Sequence, residues 1–69
     1  MNNKNYGVAI EYYLKSIYLS DYLMAYQNLG RLYLGLNRFE DAEMILTRGI
    51  KIYPADKELN DLQEVLNSL

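Results

Sequence analysis

Glu40, Asp41 and Glu43 form a close group of carboxylates, the residue type that could carry out general acid–base catalysis. The chain has no cysteine and no histidine, so nucleophiles, bases, metal ligands and disulfides built from those residues are excluded. No nucleophile is placed beside the three carboxylates. All three fall in the first turns of a predicted helix, where negative charge meets the positive end of the helix dipole. The group therefore indicates helix stabilisation, and the sequence predicts no enzyme, no metal site and no cofactor.

Other binding chemistries are also poorly represented. Gly30 and Gly35 lack the preceding strand and the lysine of a phosphate-binding loop. Lys and Arg total 7 against 9 Asp and Glu, and a net charge of -2 argues against nucleic acid as a partner. No apolar run approaches the roughly 20 residues that span a bilayer, and "MNNKNYG" is not followed by the apolar core of a signal peptide. We expect a cytoplasmic protein with a protein or peptide as partner and no membrane contact.

The elements that position these residues are predicted to be helices. Apolar side chains recur at three- and four-residue steps in four segments, approximately 5–19, 22–35, 38–53 and 56–68. No segment alternates with period two, so no strand is predicted. The fold class is therefore all-α, and 69 residues suffice for one small domain stabilised by apolar packing.

Residues typical of helix ends lie between these segments. Asp21 is expected to cap the second helix and Asp56 the fourth. Gly35 is expected to stop the second helix in the left-handed conformation. Asn37 and Glu40 predict a capping box at the start of the third helix.

The sequence repeats itself with a period of about 33 residues, so that the first helix matches the third and the second matches the fourth. The matched pairs include Tyr6 with Phe39, Ala9 with Ala42, Tyr12 with Ile45, Tyr13 with Leu46, Ser16 with Gly49, Tyr26 with Leu59, and Leu29 with Leu62. Two helices per period, joined by short turns, predict antiparallel helical hairpins that stack on one another.

The stretch from Leu23 to Asp56 resembles a tetratricopeptide repeat over its whole length. The positions that match the family pattern of aromatic, small and proline residues are Tyr26, Leu29, Gly30, Tyr33, Ala42 and Pro54. Gly49 replaces the family's usual alanine and Leu46 a usual aromatic, and both keep the size pattern. The resemblance implies a right-handed α-solenoid fragment in a single domain, residues 1–69. Residues 5–19 would be the second helix of a partial repeat, 23–56 a complete repeat and 57–69 a capping helix.

Gly30 is the least expected residue in this pattern, because glycine inside a helix costs roughly 1 kcal/mol relative to alanine. We interpret it as a packing position where the second helix approaches the third, facing Ala42 and Gly49. The same period places Gln63 where Gly30 would recur, and a bulky polar residue there is typical of a capping helix.

In tetratricopeptide proteins the first helices of successive hairpins line a groove that binds a peptide or a partner helix, and the resemblance implies such a groove here. The corresponding positions are Met24, Gln27, Asn28, Arg31, Leu34, Lys57, Asn60, Asp61 and Glu64. The lysine and asparagine that clamp a peptide carboxylate in some members are replaced by Gln27 and Arg31. Arg31 alone could still pair with a carboxylate.

The first helix suggests a different surface, because it is apolar nearly all round and such helices are buried on more than one side. Two explanations are open: a missing repeat of a longer array covers this helix, or a second copy does so in a dimer or helix exchange. We favour self-association, through Tyr6, Ile10, Tyr13, Leu14 and Ile17. The alternatives are a structural or designed mini-scaffold without a ligand and, less favoured, an RNA-binding helical repeat.

Overall fold

The computed structural model describes residues 5–69, which form four α-helices. The helices are α1 (Tyr6–Ser20), α2 (Leu23–Gly35), α3 (Phe39–Ile52) and α4 (Lys57–Asn67). The all-α prediction is confirmed, and each helix end lies within one residue of its predicted position. Within residues 5–69, no helix is both long and apolar enough to cross a bilayer.

The helices pack around α2, which contacts α1, α3 and α4. α3 also packs against α4, whereas α1 contacts α2 alone among the described helices. The largest fully buried side chains are Tyr26, Leu29, Leu46 and Leu59, contributed by α2, α3 and α4. The core therefore lies inside the α2–α3–α4 unit, and α1 is attached at one edge.

The junction between α1 and α2 differs from the prediction. Asp21 has a left-handed backbone (φ 50°) and ends α1 with an N–H bond to the Ile17 carbonyl at 2.9 Å. The residue before α2 is Tyr22, whose side chain makes no capping bond. The predicted N-cap role of Asp21 is wrong, because aspartate tolerates the left-handed conformation and is used here to terminate the preceding helix.

The turn between α2 and α3 also differs. Gly35 stays helical, and Asn37 takes the left-handed conformation (φ 61°). Arg38 is the N-cap residue of α3, without a side-chain capping bond. The predicted left-handed stop at Gly35 and the capping box of Asn37 with Glu40 are both wrong. An asparagine that makes the left-handed turn cannot also adopt the extended backbone of an N-cap.

The start of α4 agrees with the prediction for its capping residue. The Asp56 carboxylate accepts the Leu59 N–H at 2.9 Å, and the Asp56 backbone is extended, as an N-cap requires. The predicted N-cap role of Asp56 is therefore confirmed.

The spacing of the two repeated helix pairs is not identical. The starts of α2 and α4 are one residue farther apart along the chain than the starts of α1 and α3. The buried positions nevertheless keep the predicted period, because Leu59, Leu62 and Leu66 are buried or half-buried, as their matches in α2 are buried. Gln63, the predicted equivalent of Gly30, is half-buried.

Candidate protein-binding surfaces

The interior of the hairpin is shaped by Gly30. A β-carbon at this position would lie 2.6 Å from Leu46 Cδ2 and 3.7 Å from Leu62 Cδ1, so α2 approaches α3 closely here. Leu46 fills the space that a side chain at Gly30 would need. The predicted small residues of the facing helix, Ala42 and Gly49, are both buried on α3, and Leu46 between them is the nearest neighbour of Gly30.

Gly49 makes a second close approach, with Tyr26 Cβ and Leu59 Cδ1 each 3.1 Å from a β-carbon built there. The other residues assigned to repeat packing, Leu29, Tyr33, Ala42 and Leu46, are buried. Pro54 is exposed beyond the end of α3, and its carbonyl accepts the Asn60 side-chain amide at 3.0 Å.

A polar junction ties three helices together at Asp21. The Tyr26 hydroxyl donates to the Asp21 carboxylate at 2.6 Å and accepts from Arg48 Nε at 3.2 Å. The Tyr53 hydroxyl donates to the Asp21 carbonyl at 2.7 Å. Burial raises the pKa of Tyr26 above its ordinary value of 10.0, and the hydrogen bond to Asp21 raises the pKa further. The neutral phenol is therefore the form that the fold stabilises.

The side of α2 that faces α4 contains two of the predicted groove residues in contacts within the chain. The Gln27 amide donates to both carboxylate oxygens of Asp56 at 3.1 Å. The Arg31 guanidinium pairs with Glu58 and also donates to the Asn28 side chain. A peptide carboxylate that bound Arg31 would have to displace Glu58.

The remaining groove residues lie beside these contacts. Met24 and Asn28 lie on the α1 side of α2, while Leu34 is half-buried against the core. Asn60 donates its amide to backbone carbonyls in its own turn. Glu64 is exposed on α4. Asn28 also accepts a hydrogen bond from Arg31, which pairs with Glu58 of α4, so the groove residues of α2 connect its α1 side with its α4 side. Their role as one binding groove stays a prediction.

The structure also divides the predicted self-association residues. Ile10 and Ile17 are buried and belong to the chain's own core, so they are not available to a second copy. Tyr13 is half-buried, and Tyr6 and Leu14 are less than half exposed. The more exposed apolar side chains lie on another side of α1.

These exposed apolar side chains of α1 were not among the predicted site residues. They are Val8, Tyr12, Tyr18 and Leu19. Between α1 and α2 runs a groove of about 470 Å³, the α1–α2 groove, lined by Tyr12, Tyr13, Ser16, Tyr22, Leu23, Met24, Ala25 and Asn28. The internal repeat indicates this groove, because Tyr12 on α1 matches Ile45 on α3. Ile45 is buried, so the exposed tyrosine at the matching position indicates that a neighbouring helix is missing there.

This packing defines a class of protein, the helical-hairpin repeats, since each helix contacts the next and α2 also packs against its equivalent α4. The family model of the tetratricopeptide repeat matches residues 25–56, from Ala25 in α2 to the N-cap of α4. Residues 25–56 are thus similar to a tetratricopeptide repeat, in line with the resemblance described above. Searches of the curated proteins and of the solved structures returned no match.

Proposed function

We propose that this chain is a non-catalytic protein-binding module that associates with a second copy of itself through the uncovered side of α1. The tetratricopeptide repeat supports the general role in protein–protein interaction. One observation supports self-association. α2 covers one face of α3, whereas the matching face of α1 has no helix over it among the described residues.

Equivalent positions in α1 and α3 make the comparison quantitative. Tyr12 is 66% exposed, whereas its match Ile45 is 4% exposed. Ala9 is half-buried, whereas Ala42 is completely buried. The pair Ser16 and Gly49 follows the same pattern, since Gly49 is buried and Ser16 is not. The uncovered side of α1 therefore has the shape and polarity of an internal face of the repeat.

An exposed apolar face of this kind favours association. Contiguous apolar patches on monomers are small, and larger ones mark interaction sites. Tyr12 and Met24 lie together in the lining of the α1–α2 groove, and both are more than half exposed. Covering them removes apolar surface from water at about 25 cal/mol per Å².

No catalytic role is assigned to the acidic group at the start of α3. Asp41 pairs with Arg38 at 2.8 Å, and Glu40 and Glu43 are exposed on the outer side of the helix. These contacts support a role in helix stability and solvation.

Sedimentation equilibrium over a wide range of protein concentration tests the proposal. We expect the mass to rise from monomer to dimer with concentration, and Tyr12→Glu to return it to monomer. Met44→Glu is the matched control, because Met44 is 61% exposed on α3 and lies outside the α1–α2 groove. Circular dichroism verifies that each variant is folded. A wild-type mass that stays monomeric at every concentration refutes self-association and favours the mini-scaffold alternative.

A further inference from the structure

We propose that the second copy binds in an antiparallel orientation, with its α1 lying in the α1–α2 groove about a two-fold axis between Tyr12 and Tyr13. This inference rests on the self-association proposed above. It adds the occupant of the groove, its direction and the residues that meet.

The internal repeat indicates that the groove is shaped for a helix. Its residues on α1 are Tyr12, Tyr13 and Ser16. Their matches on α3 are Ile45, Leu46 and Gly49, all of them buried. α2 packs against α3, and Tyr26 of α2 lies directly over Gly49. The same surface on α1 therefore has the form of a helix-binding surface with the helix removed.

The uncovered face of α1 is complementary to itself. Ala9 and Ser16 are seven residues apart, close to two helical turns, so they lie one above the other, with Tyr12 and Tyr13 on either side of the line between them. An antiparallel pairing centred between Tyr12 and Tyr13 sets Ala9 against the partner's Ser16. Small residues then meet small residues at two points, which lets the helices approach, and the tyrosines pack along the flanks. An isologous interface requires this kind of self-complementarity.

Charge and area are compatible with the pairing. Glu11 and Lys15 are the only charged residues of α1, so the helix is neutral and two copies do not repel each other. A standard interface buries about 800 Å² on each partner. A fully buried tyrosine supplies about 150–250 Å². Tyr12, Tyr22 and Met24 are each about two-thirds exposed, so together they supply roughly half of the standard area, and the flanking side chains of α1 and α2 must supply the rest.

The opposite end of the molecule does not offer an alternative occupant. A head-to-tail contact would place the exposed side of α4 in the groove. Apart from Val65, the exposed residues of α4 are polar or charged: Lys57, Asn60, Asp61, Glu64 and Asn67. Burying these polar groups against tyrosines costs free energy unless each finds a hydrogen-bond partner. The two-fold pairing is thus favoured, and it closes at a dimer.

Disulfide trapping tests the orientation, and the chain has no cysteine of its own to interfere. Ala9→Cys and Ser16→Cys are prepared separately and oxidised alone and as a mixture, at concentrations where the wild type is dimeric. In the antiparallel pairing position 9 meets position 16. The mixture is therefore expected to give a yield of disulfide-linked dimer several times higher than either variant alone. Two copies of position 9 are then separated by roughly 10 Å along the axis, which exceeds the limit of about 7 Å for a disulfide. Thr47→Cys, on the outer side of α3, measures the background yield of linked dimer that random collisions produce.

Each outcome decides a different point. Linkage within single variants instead of the mixture would show parallel helices and overturn the orientation. Background linkage in every sample of a protein that sediments as a dimer would overturn the α1–α1 contact and leave self-association standing. A monomeric mass at every concentration would remove both proposals.

Discussion

The close approach at Gly30 leads to a prediction that separates helix propensity from packing. Gly30→Ala gains roughly 1 kcal/mol of helix propensity, but its β-carbon lies 2.6 Å from Leu46 Cδ2. A clash with the end of a side chain is relieved when that side chain moves. Leu46 is completely buried, however, so its movement displaces the core. Overpacking costs about 1–3 kcal/mol, and we expect Gly30→Ala to be destabilising by about 1 kcal/mol net.

Two controls make this prediction sharp. Gly35→Ala, in the same helix, has nothing within 4 Å of its β-carbon and no left-handed backbone, so its effect is expected to be neutral or stabilising by up to about 1 kcal/mol. Leu46→Val removes Cδ2 at a cost of about 1 kcal/mol for one buried methylene. If the clash is the cause, Gly30→Ala costs less when Leu46→Val is already present, a coupling that a double-mutant cycle measures.

Urea unfolding followed by circular dichroism gives the free energies of unfolding for the cycle. Gly30→Leu adds a larger side chain at the same point and is expected to cost several kcal/mol, enough to unfold a domain of this size. Equal stabilisation by alanine at Gly30 and Gly35, with no coupling to Leu46, would show that the helices have room at Gly30. The packing argument would then be wrong.

Three further predictions follow from single contacts. Asp56→Ala removes the N-cap acceptor of α4 and is expected to cost about 1–2 kcal/mol in urea unfolding, with Asp56→Asn keeping most of the stability; equal losses for both variants would contradict the capping role. Burial raises the pKa of Tyr26 and Tyr33 above 10.0, so their contribution to stability is complete below pH 10 and is lost as pH rises through the raised values. Thermal melts between pH 8 and 12 check this trend, and Tyr33→Phe should weaken it. Arg31→Ala is expected to change the free energy of unfolding by less than about 1 kcal/mol, because both members of its ion pair with Glu58 are more than one-third exposed; a large, salt-independent loss would contradict this.

Helix positions could be predicted because apolar periodicity is a property of each segment by itself. The chemistry of the helix ends could not, as Asp21 and Asn37 show. Both residue types stabilise an N-cap and both tolerate the left-handed conformation, so identity alone does not say whether the residue starts one helix or ends another. The choice at Asp21 depends on tertiary contacts, since its carbonyl and carboxylate receive hydroxyls from Tyr53 and Tyr26.

The candidate site was predictable only in part for a similar reason. The apolar character of α1 indicated that the helix needs neighbours on more than one side, but periodicity did not say which residues α2 already covers. Ile10 and Ile17 are on the covered side, and Tyr12 is on the open side. Arg31 was recognisable as a carboxylate ligand, and only the packing of α2 against α4 identifies that carboxylate as Glu58 within the chain.

Among the described helices α1 packs on α2 alone and is tied to the rest of the chain only at its C-terminal Asp21, which has a consequence for how the molecule opens. A segment held on one side detaches with a lower free energy than global unfolding, so the backbone amides of α1 are expected to exchange hydrogen faster than those of α2 and α3. The proposed partner supplies the second side, and its binding would slow exchange in α1 as protein concentration rises while leaving α3 unchanged. Docking of α1 on α2 and dimerisation would then be one linked equilibrium, in which a higher protein concentration increases the fraction of molecules with α1 docked.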